Sequence, residues 1–197
     1  MMNDGVAVSA PLILMALWVL TGASALAQTP TYGIGRTPSA EEVRAMDISI
    51  GPSGKELPPG EGTAKEGAAI YAQKCAVCHG VDVNGETPSA FRQKLVGGQG
   101  TLATPKPVLT IGSFWPFATT VWDFINRAMP QTTPGSLQPG EVFALTAFLL
   151  YRNGIIKETD VMDARSLPKV RMPNRNNFVP PRLEDINRLR CRNGTCP

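Results

Sequence analysis

The sequence predicts a small all-α domain carried between two extended arms. Within residues 63–151 apolar side chains recur three times at helical spacing, and no stretch alternates in the manner of a strand. The flanks, residues 28–62 and 157–197, are broken by glycine and proline. A chain of 197 residues suits one domain with some surplus, so we expect a domain at 63–156 with an arm on each side.

The first 27 residues resemble a secretory signal. An apolar run covers residues 10–20, and Ala25-Leu26-Ala27 before Gln28 matches a small-residue cleavage site. The segment before the run has no Lys or Arg and carries Asp4, so an uncleaved membrane anchor is the alternative. The run is shorter than the roughly 18 residues that a membrane span needs. We therefore expect a cleaved signal peptide, export to the periplasm, and membrane attachment only if cleavage fails.

The N-terminal arm contains one short predicted helix. Thr37 is the expected N-cap, Pro38 the first helical residue, and Glu41 and Glu42 supply acids in the first turn. Glycine and proline at 51–54 and 57–60 end regular structure after it. A disordered linker is the alternative interpretation, but the arm has apolar residues that it can bury. These are Val43, Met46, Ile48 and Ile50.

Three helices are expected in the domain. The first starts at Thr63 and places Gly67, Ile70 and Tyr71 on one face. A loop at 81–112 follows, in which the glycine-rich stretch 97–100 permits close backbone approach. The middle helix buries Val121, Phe124, Ile125 and Ala128 and stops at Met129-Pro130. The last helix covers 140–151 and ends at Asn153-Gly154.

The motif that carries chemistry is Cys75-Ala76-Val77-Cys78-His79, at the end of the first predicted helix. A C-x-x-C-H run is typical of c-type haem attachment, in which Cys75 and Cys78 bind the haem covalently and His79 ligates its iron. A zinc site needs a second pair of ligands. His79 is the single histidine, and Cys191 and Cys196 are five residues apart at the C-terminus. A redox C-x-x-C would need a βαβ context, which is absent. We expect one covalent haem c.

The second axial ligand is expected to be a methionine, because a chain with one histidine has no second imidazole. A thioether ligand raises the haem reduction potential relative to a second imidazole. Met129 is the first choice, because it lies in a Met-Pro turn directly before the final helix. Met172, in a second Met-Pro pair, is the second choice, and Met162 or an open site are the remaining alternatives. Core packing is the ordinary role of a methionine.

An aromatic cluster precedes this methionine. It consists of Trp115, Phe117, Trp122 and Phe124. We expect these rings to form the haem-pocket wall and to pack between helices. A specific redox role for Trp115 is the less favoured interpretation, since aromatic clusters are more often core.

Together, C-x-x-C-H followed by Gly80, the Met-Pro turn and the final helix resemble the class I cytochromes c. A narrower resemblance, to the SoxD and sulfite dehydrogenase cytochrome subunits, rests on blocks on both sides of the haem motif. Before the motif these are residues 32–36, 47–50 and 57–60, and after it residues 112–120, 127–130, 151–156 and 167–175. The expected fold is thus a small class I cytochrome c fold around one haem.

The resemblance implies an electron-transfer subunit that accepts electrons from a periplasmic molybdenum enzyme acting on sulfite or protein-bound sulfur. A downstream cytochrome c or oxidase is the implied acceptor. SoxD can carry two haem domains, whereas this chain has one motif, so the single-haem sulfite dehydrogenase subunit is the closer model. Similar tails ending in cysteine occur in this wider family, and we expect Cys191 and Cys196 to form a disulfide after export.

Two other functions remain open. A diffusible periplasmic electron carrier is the runner-up, although such a carrier needs neither arm. A haem enzyme or gas sensor with an open distal position is the third, and it would need a distal acid or base. No catalytic constellation is visible. A net charge of +3 is too small to indicate nucleic acid, and no basic binding motif is present.

Overall fold

The computed structural model of the chain describes residues 34–83, 94–179 and 182. The predicted signal peptide and the predicted Cys191–Cys196 disulfide lie outside these residues. The chain divides into two compact units, Met1–Met46 and Asp47–Pro197. Within the described part, no helix has the length and apolarity needed to cross a bilayer.

The described residues of the first unit, 34–46, contain one short helix, α1 (Ala40–Met46). Its cap differs from the prediction, because Ser39 and not Thr37 occupies the capping position. The Ser39 hydroxyl accepts a hydrogen bond from the Glu42 N–H at 3.1 Å, and the Glu42 carboxylate accepts from the Ser39 N–H at 2.8 Å. This reciprocal pair satisfies two free N–H groups and fixes where the helix starts. Arg36 forms a salt bridge with Glu42 and, as the largest cause, lowers the pKa of that carboxyl to about 2.

The elements of the second unit, where the structure describes it, are mostly helices, with two very short strands. In chain order its elements are β1 (Glu61–Thr63), α2 (Ala64–Lys74), α3 (Ala76–His79), α4 (Ala118–Ala128), α5 (Pro139–Arg152), β2 (Val161–Asp163) and a 3₁₀ turn at Leu167–Lys169. The three predicted domain helices correspond to α2, α4 and α5. Thr63 caps α2 in a reciprocal pair with Glu66, as Gln138 does for α5 with Glu141.

Helices α2 and α5 meet at a very close crossing. A Cβ placed on Gly67 would lie 1.9 Å from the Ala144 carbonyl oxygen, and one on Gly62 would lie 2.4 Å from the Ala144 nitrogen. Only glycine permits backbones to approach so closely. Lys74 at the end of α2 forms a salt bridge with Glu141 of α5 at 2.6 Å, on the surface beside the crossing. The crossing fixes the orientation of α2, and therefore the position of the C-x-x-C-H motif that follows its C-terminal end.

The strand pair corrects the expectation that no strand forms. β1 and β2 pair antiparallel, with Glu61 opposite Asp163 and Thr63 opposite Val161. Each strand has three residues and shows one buried position between two more exposed ones. Three residues are too few for alternation to be recognised in a sequence. The fold remains that of a helical domain, with a two-stranded ribbon joining the segments before and after it.

Parts of both predicted arms pack into the core of the second unit. Ile50 and Leu57, which precede α2, are buried in this core. Met162, Leu167 and Met172, which follow α5, are buried with them. The two flanks also touch, since a Cβ on Gly54 would lie 2.6 Å from the Pro168 ring. The arm residues Val43, Met46 and Ile48, which we expected to be buried, are instead exposed. The boundaries at 62 and 157 stay predictions.

Asn153 ties the loop at 94–113 to the end of α5. Its side-chain oxygen accepts a hydrogen bond from the Gly97 N–H at 3.1 Å, and its amide donates to the carbonyl oxygens of Leu95 (3.2 Å) and Leu149 (2.8 Å). From the sequence, Asn153 was expected only to end the helix. Its buried amide in fact satisfies three backbone groups that would otherwise be costly to bury.

A buried carboxylate fastens the N-terminal flank to α4. Asp123 accepts a hydrogen bond from the Ile50 N–H at 2.8 Å and two more from the Arg127 guanidinium, one of them at 2.9 Å from Nε. Burial by itself would raise the pKa of Asp123. The hydrogen bonds from Arg127 and Ile50, with the positive charge of Arg127, outweigh that effect and lower the pKa below its usual value.

We expect Asp123→Asn to lower the free energy of unfolding at pH 7 by about 1.5–3 kcal/mol, since it removes hydrogen bonds made to a charged group. Because the folded-state pKa is depressed, the stabilisation is present above the pKa of the unfolded chain, about 3.9, and is lost as the pH falls through the folded value. Urea unfolding at pH 7 and pH 3 measures both effects. The exposed Glu158→Gln variant is the control, and equal losses in the two variants would contradict the assignment.

Candidate functional site

The C-x-x-C-H motif forms its own short helix, α3, directly after α2. The N–H groups of Cys78 and His79 both donate to the Cys75 carbonyl oxygen, at 3.1 and 3.0 Å. The Gly80 N–H donates to the Ala76 carbonyl oxygen at 2.8 Å and ends the helix. One helical turn therefore separates Cys75 from Cys78. The structure brings both thiols and the His79 imidazole together on a single turn.

Tyr71 braces this turn from the preceding helix. Its buried hydroxyl donates a 2.7 Å hydrogen bond to the Gly80 carbonyl oxygen, nine residues further along the chain. Gly80 has φ of 81° and ψ of 153°, a conformation that is largely restricted to glycine. The ring of Tyr71 packs on Phe148 with centroids 5.2 Å apart. Burial is the main reason that the pKa of Tyr71 is raised, so the hydroxyl keeps its proton.

The brace was not predicted from the sequence. The helical pattern placed Tyr71 on the buried face, but nothing in the sequence indicates which acceptor a buried hydroxyl will find. A partial signal exists, because a buried tyrosine hydroxyl usually needs a hydrogen-bond partner.

We expect Tyr71→Phe to lower the free energy of unfolding by about 1–3 kcal/mol, because it leaves the Gly80 carbonyl buried without its donor. Chemical unfolding followed by circular dichroism measures the loss. Tyr151→Phe removes the same hydroxyl from a more exposed ring of α5 and should change stability little. If both variants are as stable as the parent, the Tyr71 hydrogen bond does not brace the motif.

The three functional side chains are half-buried and held in an apolar setting. Burial raises the pKa of Cys75 to about 11, so its thiol is protonated at neutral pH. Burial also lowers the pKa of His79, which keeps the imidazole neutral. A neutral imidazole is the form that binds a metal.

The imidazole ring of His79 lacks a polar contact that a bound group would supply. Its Nδ1 is buried and has no hydrogen-bond partner among the described residues. Such a nitrogen is costly to bury unless another group supplies the missing interaction. The Cys75 and Cys78 thiols are also free of disulfides. The donor set of two thiols and one neutral imidazole on a single turn suits a haem that is attached through its edge and ligated through its iron.

The candidate distal methionines differ in burial. Met129 directly follows α4, has an extended backbone, and is only partly buried against the core. Met162 and Met172 are nearly completely buried in the core, with 5% and 3% of their surfaces exposed. A sulfur that is to reach a cofactor cannot also be sealed among core side chains, which favours Met129. The distal ligand, like the roles of Cys75, Cys78 and His79, stays a prediction.

The aromatic cluster divides into two parts. Trp122 is buried and packs on Phe143 of α5, with ring centroids 5.4 Å apart. Trp115 and Phe124 form an edge-to-face pair at 5.6 Å, and Phe124 remains 43% exposed. The first pair is helix packing. The second pair joins Trp115, three residues before α4, to Phe124 within α4, and the haem-pocket wall expected here stays a prediction.

Comparison with known proteins agrees with this geometry. Residues 62–149 match the family model described as cytochrome c oxidase, cbb3-type, subunit III. The helical fold and this match define the protein as a class I c-type cytochrome, a class whose cofactor is haem c.

A second comparison narrows the class. The structure resembles a chain in the crystal structure of the sulfane dehydrogenase SoxCD from Paracoccus pantotrophus, with a TM-score of 0.70 and 35% sequence identity. The match covers 85% of this chain and 81% of the other. No curated protein sequence matches the chain. The protein belongs to the SoxD family of c-type cytochromes.

Proposed function

We propose that this protein is the periplasmic, single-haem electron-transfer subunit of a molybdenum dehydrogenase that oxidises sulfite or a bound sulfur species. The observation that carries the proposal is the 35% identity to a chain of the sulfane dehydrogenase SoxCD over most of both chains. A cytochrome fold alone would leave the electron donor undefined.

The extent of the match supports a subunit over a free carrier. The cytochrome family model matches residues 62–149, whereas the SoxCD chain matches 85% of the protein. The likeness to the SoxCD chain therefore includes residues outside the haem domain. A free carrier needs only that domain, and additional segments give a subunit further surface for contacts with other proteins.

In this proposal the C-x-x-C-H turn holds the cofactor. Cys75 and Cys78 would hold the haem covalently, and His79 and Met129 would ligate its iron, with Met172 as the second choice for the distal ligand. Haem supplies a centre that takes up and returns one electron. The brace from Tyr71 and the close crossing of α2 with α5 keep the His79 turn rigid, which limits rearrangement when the charge changes.

Electron transfer between two proteins needs no acid, base or nucleophile. The chain must exclude water around the cofactor, fix its ligands and leave one edge near the surface. The apolar setting that lowers the pKa of His79 is part of this arrangement, since it keeps the imidazole free to bind metal.

Purification from the periplasm of the native host tests the proposal. We expect an affinity-tagged protein to bring down a second chain that contains molybdenum, and its haem to be reduced when sulfite or a sulfane compound is added. A Cys75→Ala/Cys78→Ala double variant controls for covalent haem. If the protein purifies alone and its haem is not reduced by either compound, the diffusible carrier becomes the better interpretation.

A further inference from the structure

Positive charge is concentrated in one segment after the last helix. Residues 164–183 contain five lysines and arginines and no acidic residue. The whole chain has 19 basic and 16 acidic residues, so the remainder has 14 basic and 16 acidic residues. A chain with a net charge of +3 therefore divides into a strongly basic segment and a slightly acidic remainder. Such an asymmetry produces a local positive field that the net charge does not reveal.

The structure sorts this segment into buried and exposed positions. Val170, Met172 and Asn174 are buried in turn, whereas Lys169, Arg171 and Arg175 between and beside them are exposed. We name these three cationic residues the basic strip. Lys169 and Arg171 are two residues apart, which is at most roughly 7 Å and within one Debye length at physiological salt. Arg175 lies further along, in a turn that its own N–H closes on the Met172 carbonyl oxygen at 3.1 Å.

Specific contacts hold the segment in place. The Asn174 amide donates a 2.8 Å hydrogen bond to the Phe114 carbonyl oxygen, and Phe178 packs edge-on against the Phe114 ring with centroids 5.2 Å apart. The Arg175 guanidinium lies 5.0 Å from the centre of the Phe117 ring, a cation–π contact. Because the segment is ordered by these contacts, the basic strip is presented to a partner at little entropic cost.

Among the described residues, no salt bridge neutralises the charges of the strip. In the described part of the chain, the salt bridges are Arg36–Glu42, Lys74–Glu141 and Arg127–Asp123, and none involves the strip. The nearest acidic residue that precedes the strip in sequence is Asp163. Its carboxylate accepts hydrogen bonds from the N–H groups of Arg165 and Ser166. Uncompensated exposed cations on an ordered segment fit an acidic surface on another molecule.

We propose that the basic strip is the docking site for a diffusible redox protein with an acidic face, which takes the electron from this subunit. The direction of transfer rests on the proposed function. Stable subunit interfaces are large and depleted in charge at their centre, whereas transient electron-transfer contacts are small. Charge complementarity chiefly raises the rate of encounter. A short row of three cations thus suits the transient partner and not the permanent one.

The location of the strip suits this role. Its anchors, Phe114 and Phe117, belong to the segment that leads into α4, and α4 ends directly before Met129. Phe117 and Met129 flank the 11 residues of α4, so the anchor of the strip and the predicted distal ligand lie about 17 Å apart along this helix. One electron leaves the reduced cytochrome and one acceptor centre is reduced, with no proton or bond exchanged.

The test measures the rate at which a small blue-copper protein of net negative charge oxidises the reduced full-length cytochrome in stopped flow. Here one electron converts copper(II) to copper(I). The test variant is Lys169→Glu/Arg171→Glu/Arg175→Glu. The matched control is Lys55→Glu/Lys65→Glu/Lys106→Glu. It changes the net charge by the same amount, at three exposed lysines outside the strip. Absorption and circular dichroism spectra check that each variant is folded and contains haem. If the triple variant fails this check, the single variant Arg171→Glu replaces it.

For the parent we expect a rate that falls steeply as salt is added. The strip variant should be about 10-fold slower or more at low salt and nearly independent of salt, while the control stays within about 2-fold of the parent. Equal slowing of both variants, or of neither, would overturn the proposal. So would loss of the molybdenum subunit from the strip variant alone on co-purification, which would make the strip part of the permanent interface. If the parent protein does not co-purify with a molybdenum subunit, the proposed function is wrong. The comparison of oxidation rates still tests whether the strip is a docking site.

Discussion

Replacing Gly67 with alanine is expected to destabilise the protein by about 2 kcal/mol, the upper end of the usual overpacking cost less the helix-propensity gain of alanine. The added Cβ would lie 1.9 Å from the Ala144 carbonyl oxygen, a backbone atom that cannot move aside without shifting α5. Overpacking typically costs about 1–3 kcal/mol and sometimes more, and here it must also exceed the roughly 1 kcal/mol that alanine gains over glycine in a helix. Urea unfolding of the haem-loaded protein, followed by far-ultraviolet circular dichroism, measures the change.

Gly140→Ala is the matched control for this variant. Gly140 lies in the first turn of α5, and a Cβ there would be 3.4 Å from the Glu61 carbonyl oxygen, which is an ordinary contact. We expect that variant to be as stable as the parent or slightly more stable. If Gly67→Ala unfolds at the same urea concentration as Gly140→Ala, the helices do not cross as closely as described.

Replacing Met129 with leucine is expected to abolish the weak near-infrared band that a sulfur-to-iron bond gives in an oxidised c-type cytochrome. Leucine fills similar volume but provides no ligand. A thioether raises the haem potential, so we also expect the potential to fall by a sizeable part of the roughly 0.8 V range that axial ligation spans. Absorption spectra of the oxidised protein and a redox titration measure the two effects.

Two further methionine variants make the result decisive. Met46 lies exposed on α1 in the first unit, so Met46→Leu should leave the band and the potential unchanged. Met172→Leu tests the second candidate and should also keep the band, because Met172 is buried in the core. If the band survives in Met129→Leu and disappears in Met172→Leu, the distal assignment is wrong. If the parent has no band, an open distal site becomes the leading interpretation.

The helical part of the fold could be predicted because its information is local. Gly67 and Tyr71 mark the buried face of α2 by their spacing, and Met129-Pro130 marks the end of α4. The C-x-x-C-H motif was equally visible, since its five residues are consecutive. The cap of α1 was predicted wrongly at Thr37, because Pro38 after it also fits a first helical position. The reciprocal Ser39–Glu42 pair then decided the start of α1.

Contacts between distant residues could not be predicted in this way. The partner of Asp123 is the Ile50 N–H, 73 residues away, and backbone groups have no sequence signature. The same is true of the Gly80 carbonyl that Tyr71 holds. The sequence analysis did not single out the basic strip, and only the burial of Val170, Met172 and Asn174 shows that the cations beside them face outward.

The pairing of β1 with β2 has a consequence for how the chain matures. Glu61 finds its partner in Asp163 only after the whole haem domain has been made, and Met162, Leu167 and Met172 complete the core from beyond that point. Contacts between residues so far apart in sequence form slowly, because the intervening chain must first be closed into a loop. Because a chain is made from its N-terminus, the C-x-x-C-H turn is present before the core can close. The late ribbon leaves an interval in which the Cys75 and Cys78 thiols are accessible, as the covalent haem attachment proposed above would require.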